Sequence, residues 1–271
     1  MSDEKRTHLG ASSWSSCSLK MWFIFRNAKQ RVFNKEKLRT FALGHFIEGL
    51  VIDELARDGH KVGSNQAPVV YKGLKFGHID GVIDGDLLEV KSAKEARFKA
   101  MKKKLPDNYY AQVQIYMKLL IKKLCQYYIL NKNTSELYHT TIALDDKYAT
   151  EQVERMYSVI TNYSPPMKNT SYECAWCDYK DICEGRELAE ISCGTCVNVD
   201  TDSGRLKCKI GDSVCNQHLY HPLIVELVDG YYLKDVDAEN KILDFGLIKL
   251  GGGFLSSSEF FDVVNKTQEV G

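Results

Sequence analysis

The chain has 271 residues, enough to bury one substantial core plus a minor module. Its 36 Lys and Arg balance 36 Asp and Glu, so no global positive field announces a nucleic-acid partner. No stretch approaches the length of an apolar membrane-spanning helix, and the opening Met-Ser-Asp-Glu-Lys-Arg holds no apolar leader, so the expectation is a cytoplasmic protein with no membrane partner.

In chain order, periodicity predicts a helix over 17–28 and a second over 43–57. The stripe of the second is Leu43, Phe46, Ile47, Leu50, Val51 and Leu55. Strands follow near 69–71, 74–83 and 87–92, with Asp84-Gly85 as turn chemistry between the last two. A helix is expected over 107–124 on the stripe Tyr110, Val113, Met117, Leu120, Ile121 and Leu124. Strands over 125–130 and 137–144 and a helix over 148–161 complete a mixed α/β core with helices on both faces. Cys125 reads as a small buried hydrophobe. Beyond it, short strands are expected over 223–228 and 231–233, then a mobile end marked by Gly251–Gly253 and Ser256–Ser258. The corresponding domains are 1–190, a small module over 191–222, and a tail over 223–271.

Chemistry concentrates between Gly77 and Lys91. Glu89 and Lys91 are two residues apart on one strand and share a face, while Val90 points the other way. Asp80 on the preceding strand can meet them. Two carboxylates suit a hard divalent cation such as Mg²⁺ or Mn²⁺, and a neighbouring ammonium can orient a water or offset negative charge. Glu48 lies at the edge of the 43–57 stripe, where a half-sunk carboxylate is costly unless paired or metal-bound. His45 is three residues earlier on the same side. Gln112 and Tyr116, four apart, project side by side and suit contact with a phosphate or nucleotide. Lys94, Arg97, Lys99, Lys102, Lys103 and Lys104 follow the Glu-x-Lys strand directly, a basic run placed to track phosphates.

Taken in order, Gly44-His45-Phe46-Ile47-Glu48, Gly77-His78-Ile79-Asp80, Glu89-Val90-Lys91 and Gln112-x3-Tyr116 resemble the four motifs of the PD-(D/E)XK nuclease superfamily. Within it they resemble the RecB-like exonucleases, including phage members. The resemblance implies a restriction-endonuclease-like α/β core. It makes Glu48, Asp80 and Glu89 the Mg²⁺ or Mn²⁺ ligands and gives Lys91 the attacking water. Gln112 and Tyr116, with Lys99, Lys102 and Lys103, are then contacts to DNA. The chain departs from many members in carrying Glu48 where they carry His.

The cysteines add a second pattern. Cys174-x2-Cys177-x5-Cys183 with the remote Cys17 does not pair two knuckles as zinc sites do. It resembles the iron–sulfur clasp of the AddB-type and CRISPR-associated RecB-like nucleases, although Ser18 replaces the usual proline. That resemblance implies a 4Fe–4S cluster on Cys17, Cys174, Cys177 and Cys183, with zinc as the other occupant. Such a closure would restrict the unfolded chain as a long-loop crosslink does. Cys193-x2-Cys196, Cys208, Cys215 and His218 form a zinc pattern, with Cys215 and His218 competing for the fourth position and His221 a bystander. The reading is therefore a divalent-metal-dependent DNA exonuclease of a phage, acting with a single-strand annealing or other recombination or replication protein. A site-specific or structure-specific endonuclease and a non-catalytic DNA-binding adaptor are the other readings.

Overall fold

Two helices lead the chain, α1 (Ser18–Phe25) and α2 (Lys35–Arg57). The computed structural model describes residues 8–29, 33–162, 165–201 and 206–209, with 218, 220, 221, 224, 233–237 and 242–245. It divides into two compact units, one of residues 1–8, 17–30 and 159–271, the other of 9–16 and 31–158. Within the second unit, α2 starts at Asn34, whose side chain accepts a hydrogen bond from Lys37 N at 2.8 Å. Glu36 in the first turn and Arg57 in the last complement the helix dipole. The helix thus begins eight residues before the predicted start. Its early part lacks a buried stripe, since Leu38 and Phe41 are exposed, so periodicity could not mark it. Only part of the predicted stripe is buried: Ile47, Val51 and Leu55 are covered together with Ile52, whereas Leu43, Phe46 and Leu50 stay exposed.

After α2 come β1 (Val62–Gly63), β2 (Pro68–Tyr71), β3 (Leu74–His78), β4 (Gly81–Ile83) and β5 (Asp86–Ala93). The expected single strand over 74–83 is two. β3 pairs with β2 in a separate two-stranded sheet, and β4 joins a five-stranded one. The chain turns between them at Ile79-Asp80. Helices α3 (Glu95–Lys103) and α4 (Asp107–Leu119) then cross over to β6 (Leu124–Asn131). β7 (Leu137–Ala143) and α5 (Asp146–Thr161) follow. The large sheet has the order β1-β4-β5-β6-β7. Its β5–β6 pair is parallel and the rest antiparallel, which is why a helical crossover must intervene there.

Side-chain alternation on β5 gives each face its own partner. Leu88 and Val90 pack with Ile47, Val51, Ile52 and Leu55 of α2, with Ile83 and with Tyr128. The other face, carrying Leu87 and Glu89, looks toward α4. The basic run forms α3, anchored by buried Phe98 and Met101. Helix α4 is buried almost all round, from Ala111 to Met117, rather than along one stripe. It stops before Ile121, which has φ +55° and is 90% exposed, so the predicted extension to 124 is not helical.

The other unit buries Leu19, Met21, Trp22, Phe23 and Phe25 of α1. Arg26 is fully buried with its guanidinium 4.5 Å from the Trp22 ring centre, and its Nη1 donates to Gly194 O at 3.2 Å. A Cβ on Gly194 would collide with the Arg26 backbone, so Gly194 must remain glycine. This unit also holds α6 (Lys180–Cys183), the pair β8 (Val199–Asp200) and β9 (Lys207–Cys208), and the hairpin β10 (Leu233–Asp237) with β11 (Ile242–Phe245). The strands expected over 223–228 and 231–233 lie outside the described residues except at Ile224 and Leu233, as does the expected mobile end.

Burial sets an expectation for stability. Leu88→Ala should cost about 2–5 kcal/mol. Phe46→Ala, at a position 68% exposed, should stay within about 0.5 kcal/mol. Urea unfolding of the two variants, read as the midpoint at constant slope, checks this; equal losses would contradict the packing of α2.

Candidate active site

Glu89 is the centre of the site. It is fully buried on β5, and both Lys91 Nζ and Gln112 Nε2 donate to its Oε1, the latter at 2.9 Å. Its other oxygen, Oε2, is buried with no hydrogen-bond partner. Burial, then the charge of Asp80, raises the Glu89 carboxyl to about 7 against the opposing pull of Lys91. Burial works against the Lys91 ammonium in turn, but Glu89 and Asp80 outweigh it and hold the lysine charged.

Asp80 sits at the corner between the two sheets, and its Oδ2 accepts from Val90 N at 2.8 Å. That bond ties the corner to the β5 backbone between Glu89 and Lys91. The approach to the corner depends on Gly77. Its φ is +139°, and a Cβ there would strike the Tyr116 hydroxyl. Glu48 reaches the same neighbourhood from α2, with its side chain 16% exposed. Gln66 Nε2 donates to its Oε1 at 2.6 Å, and His45 Nδ1 lies 3.6 Å from its Oε2. Burial and then Asp80 push the Glu48 carboxyl up, with Gln66 and His45 pulling the other way. Asp80 thus raises both glutamates, as neighbouring like charges do.

The expected Glu48, Asp80, Glu89 and Lys91 therefore share one neighbourhood. Gln112 and Tyr116 do not sit at a surface as expected. They are 6% and 2% exposed, and Gln112 is spent on Glu89. The reason is that α4 lies inside the unit, so the helix face assigned to solvent meets β5. Lys99 pairs with Glu95 at 2.7 Å and Lys102 with Glu136 at 2.8 Å, while Lys103 is exposed. Sequence reasoning missed Gln66, Tyr109 and Tyr127. Tyr127 pairs in register with Glu89 on the parallel strand, is fully buried, and its hydroxyl has no partner. The Tyr109 ring centre lies 5.7 Å from Lys91 Nζ. Register on β6 is the signal that could have found Tyr127; nothing local marks Gln66.

In the other unit the four clasp cysteines fall on neighbouring elements. Cys17 precedes α1, Cys174 lies within the short 3₁₀ turn Tyr172–Trp176 and Cys177 directly follows it, and Cys183 ends α6. Burial raises the Cys183 thiol, Lys168 opposes this, and Cys17, Cys177 and Cys174 each add to the rise. All four sulfurs therefore act on one locality. Of the zinc pattern, Cys215 lies outside the described residues. His218 Nε2 stands 3.1 Å from Thr195 Oγ1, which engages one of its ring nitrogens. Among the described residues no three His, Cys, Asp or Glu side chains stand close enough, as placed, to hold a metal ion.

The sheet thus brings a buried Glu-x-Lys strand, the aspartate at the preceding corner and the helix glutamate to one place. Residues 7–119 match the family model of the YqaJ-like viral recombinase domain. An alkaline exonuclease from Laribacter hongkongensis aligns at 15% identity over 55% of this chain and 81% of its own, with a TM-score of 0.42. The same protein in complex with dAMP gives 15%, 56%, 85% and 0.40. A phage-related exonuclease from Haemophilus somnus 129PT aligns at 13% identity over 52% and 77%, with a TM-score of 0.38. No curated protein sequence matches.

The Gly77–Tyr116 contact gives a test of the corner. Gly77→Ala should destabilise by about 1–3 kcal/mol. Tyr116→Phe, which removes the colliding hydroxyl, should recover part of that loss in the double variant. A double-mutant cycle by urea unfolding measures the coupling; strict additivity would mean that the hydroxyl does not constrain the glycine.

Proposed function

We propose that this chain is a divalent-metal-dependent DNA exonuclease of a phage, active in the host cytoplasm in recombination, replication or DNA processing. The observation that carries this is Glu89: a fully buried carboxylate with one oxygen held by Lys91 and Gln112 and the other unpartnered. A buried charged oxygen left unpaired costs several kcal/mol unless something binds it. The YqaJ-like match supports the same reading.

The donor set fits Mg²⁺ or Mn²⁺, since Glu48, Asp80 and Glu89 offer hard oxygens and Glu89 Oε2 is unengaged. These three residues would hold the ion, which supplies Lewis-acid polarisation of the scissile phosphate and eases loss of a proton from water. The protein's own share follows from the geometry. Gln112 fixes the rotamer of Glu89, Asp80 locks the strand through Val90 N, and Gln66 restrains Glu48. Lys91, kept charged by Glu89 and Asp80, aligns the attacking water and offsets the negative charge that gathers on the phosphate in the transition state.

The thiol set of Cys17, Cys174, Cys177 and Cys183 fits a 4Fe–4S cluster with a structural task, zinc being the other candidate. Cys193, Cys196 and Cys208, with Cys215 or His218 as the fourth ligand, are assigned to zinc. A single-strand annealing or similar recombination protein is the proposed partner.

Two experiments test this. Glu89→Ala and Lys91→Ala should each abolish Mg²⁺-dependent degradation of end-labelled linear DNA while the far-ultraviolet circular dichroism is kept. Covalently closed circles should resist the wild type, and their cleavage would instead favour an endonuclease. Anaerobically purified protein should be brown and contain iron, and Cys17→Ser should lose both colour and iron. Colourless, iron-free wild type would overturn the cluster, with zinc in its place if metal analysis finds it.

A further inference from the structure

Six basic residues follow the Glu-x-Lys strand, and the structure separates them. Lys99 is offset by Glu95, Lys102 by Glu136, and Lys104 by Asp107 at 3.3 Å. Lys102 also sits over the Phe98 and Tyr138 rings, 5.3 and 5.1 Å from their centres. Arg97 is different. Its Nη2 donates to the Tyr109 hydroxyl at 3.1 Å, and its guanidinium carbon lies 5.4 Å from the centre of that ring. The same ring centre is 5.7 Å from Lys91 Nζ. One aromatic ring therefore carries two cations: the lysine at the buried carboxylate and an exposed arginine on the first turns of α3.

The ring does two physical things. Its face offers both cations the attraction of a π quadrupole without neutralising either. Its hydroxyl fixes the guanidinium in one orientation while using one of five N–H donors, leaving the rest of the planar fork for an outside acceptor. A guanidinium so presented matches the paired oxygens of a phosphodiester, which a free lysine meets only as a point charge.

Resting on the nuclease reading above, we propose that Arg97, oriented by Tyr109, binds a backbone phosphate of the DNA strand adjacent to the one cleaved at Lys91. Tyr109 is a positioning residue that couples this phosphate contact to the ammonium of Lys91. Lys99 and Lys102 on α3, and Lys104 just after it, contribute less, because the acid beside each offsets its charge at the range over which salt leaves it effective. Exposed Lys103 adds only an unoriented point charge.

The test measures steady-state degradation of end-labelled linear DNA and, in the cleavage-deficient Glu89→Gln background, DNA affinity between about 50 and 200 mM salt. Arg97→Ala should raise KM about 10-fold or more, the loss of a charge-assisted hydrogen bond, with kcat changed less than about 3-fold. It should also lower the slope of log affinity against log salt by about 1. Arg97→Lys should keep the slope and recover only part of the KM. Tyr109→Phe keeps the ring, so it should raise KM by about 3-fold, the loss of one neutral hydrogen bond. Lys123→Ala removes an exposed charge at the opposite end of the parallel pair and should change neither quantity. Wild type that degrades DNA with KM and slope independent of Arg97 overturns this assignment alone. Wild type that binds DNA through Arg97 without degrading it overturns the nuclease reading and supports the phosphate contact.

Discussion

The fold is arranged around a carboxylate that water does not reach. Glu89 lies in the central strand β5, covered on both sheet faces, and an ion in that place must be met by fixed partners or be expelled. Lys91 comes from two residues along the same strand, so its approach needs no tertiary structure. Gln112 has to be delivered by another element. Delivering it means laying α4 across the β5 face with its polar side inward, and this explains why Gln112 and Gln114 are buried on a helix whose sequence reads as half exposed. Gln114 is satisfied in its turn, donating to Ala143 O and accepting from Asp145 N. The inward amides are thus structural members of the unit, and each has its partner.

The same demand shapes the corner at Asp80. A carboxylate within reach of Glu89 raises the cost of both, and the glutamates, raised first by burial, are pushed up further by Asp80. Holding the three acids close requires backbone restraint, supplied by the Val90 N bond and by the separation of β3 from β4. Gly77 lets the chain make that passage under the Tyr116 hydroxyl. Strain and like-charge repulsion are concentrated where a divalent ion would relieve them, a pattern common at functional sites.

Much of this was legible in the sequence, and the failures share a cause. Helix and strand existence followed from periodicity, and Glu89, Lys91 and Val90 fell on the expected faces because side chains alternate along an unbulged strand. Cys125 was read as buried and is. What periodicity misjudged is tertiary override: Leu43, Phe46 and Leu50 look like core but face out, and Gln112 and Tyr116 look like surface but face in. A one-dimensional pattern reports how apolar a face is, and only packing decides which face is used. Tyr127 and Gln66 escaped for another reason. Their relevance depends on register across a parallel pair and on a loop with Ser64 and Gln66 at positive φ, neither of which composition encodes.

Overall neutrality also needs a physical reading, because it first spoke against a nucleic-acid partner. Screening confines exposed charges to about 8–10 Å at physiological ionic strength, so a partner never senses the sum over 271 residues. It senses local clusters. Along α3 the positive run is largely cancelled by Glu95, Glu136 and Asp107, all within 4 Å of their lysines. Beside that run the Tyr109 ring carries Arg97 and Lys91, the latter paired with Glu89, next to three carboxylates that repel a phosphate until a divalent ion offsets them. On the proposed function, this arrangement makes productive contact with DNA conditional on the metal. A uniformly basic surface would instead hold DNA with or without it, and balanced composition is what such conditional binding requires.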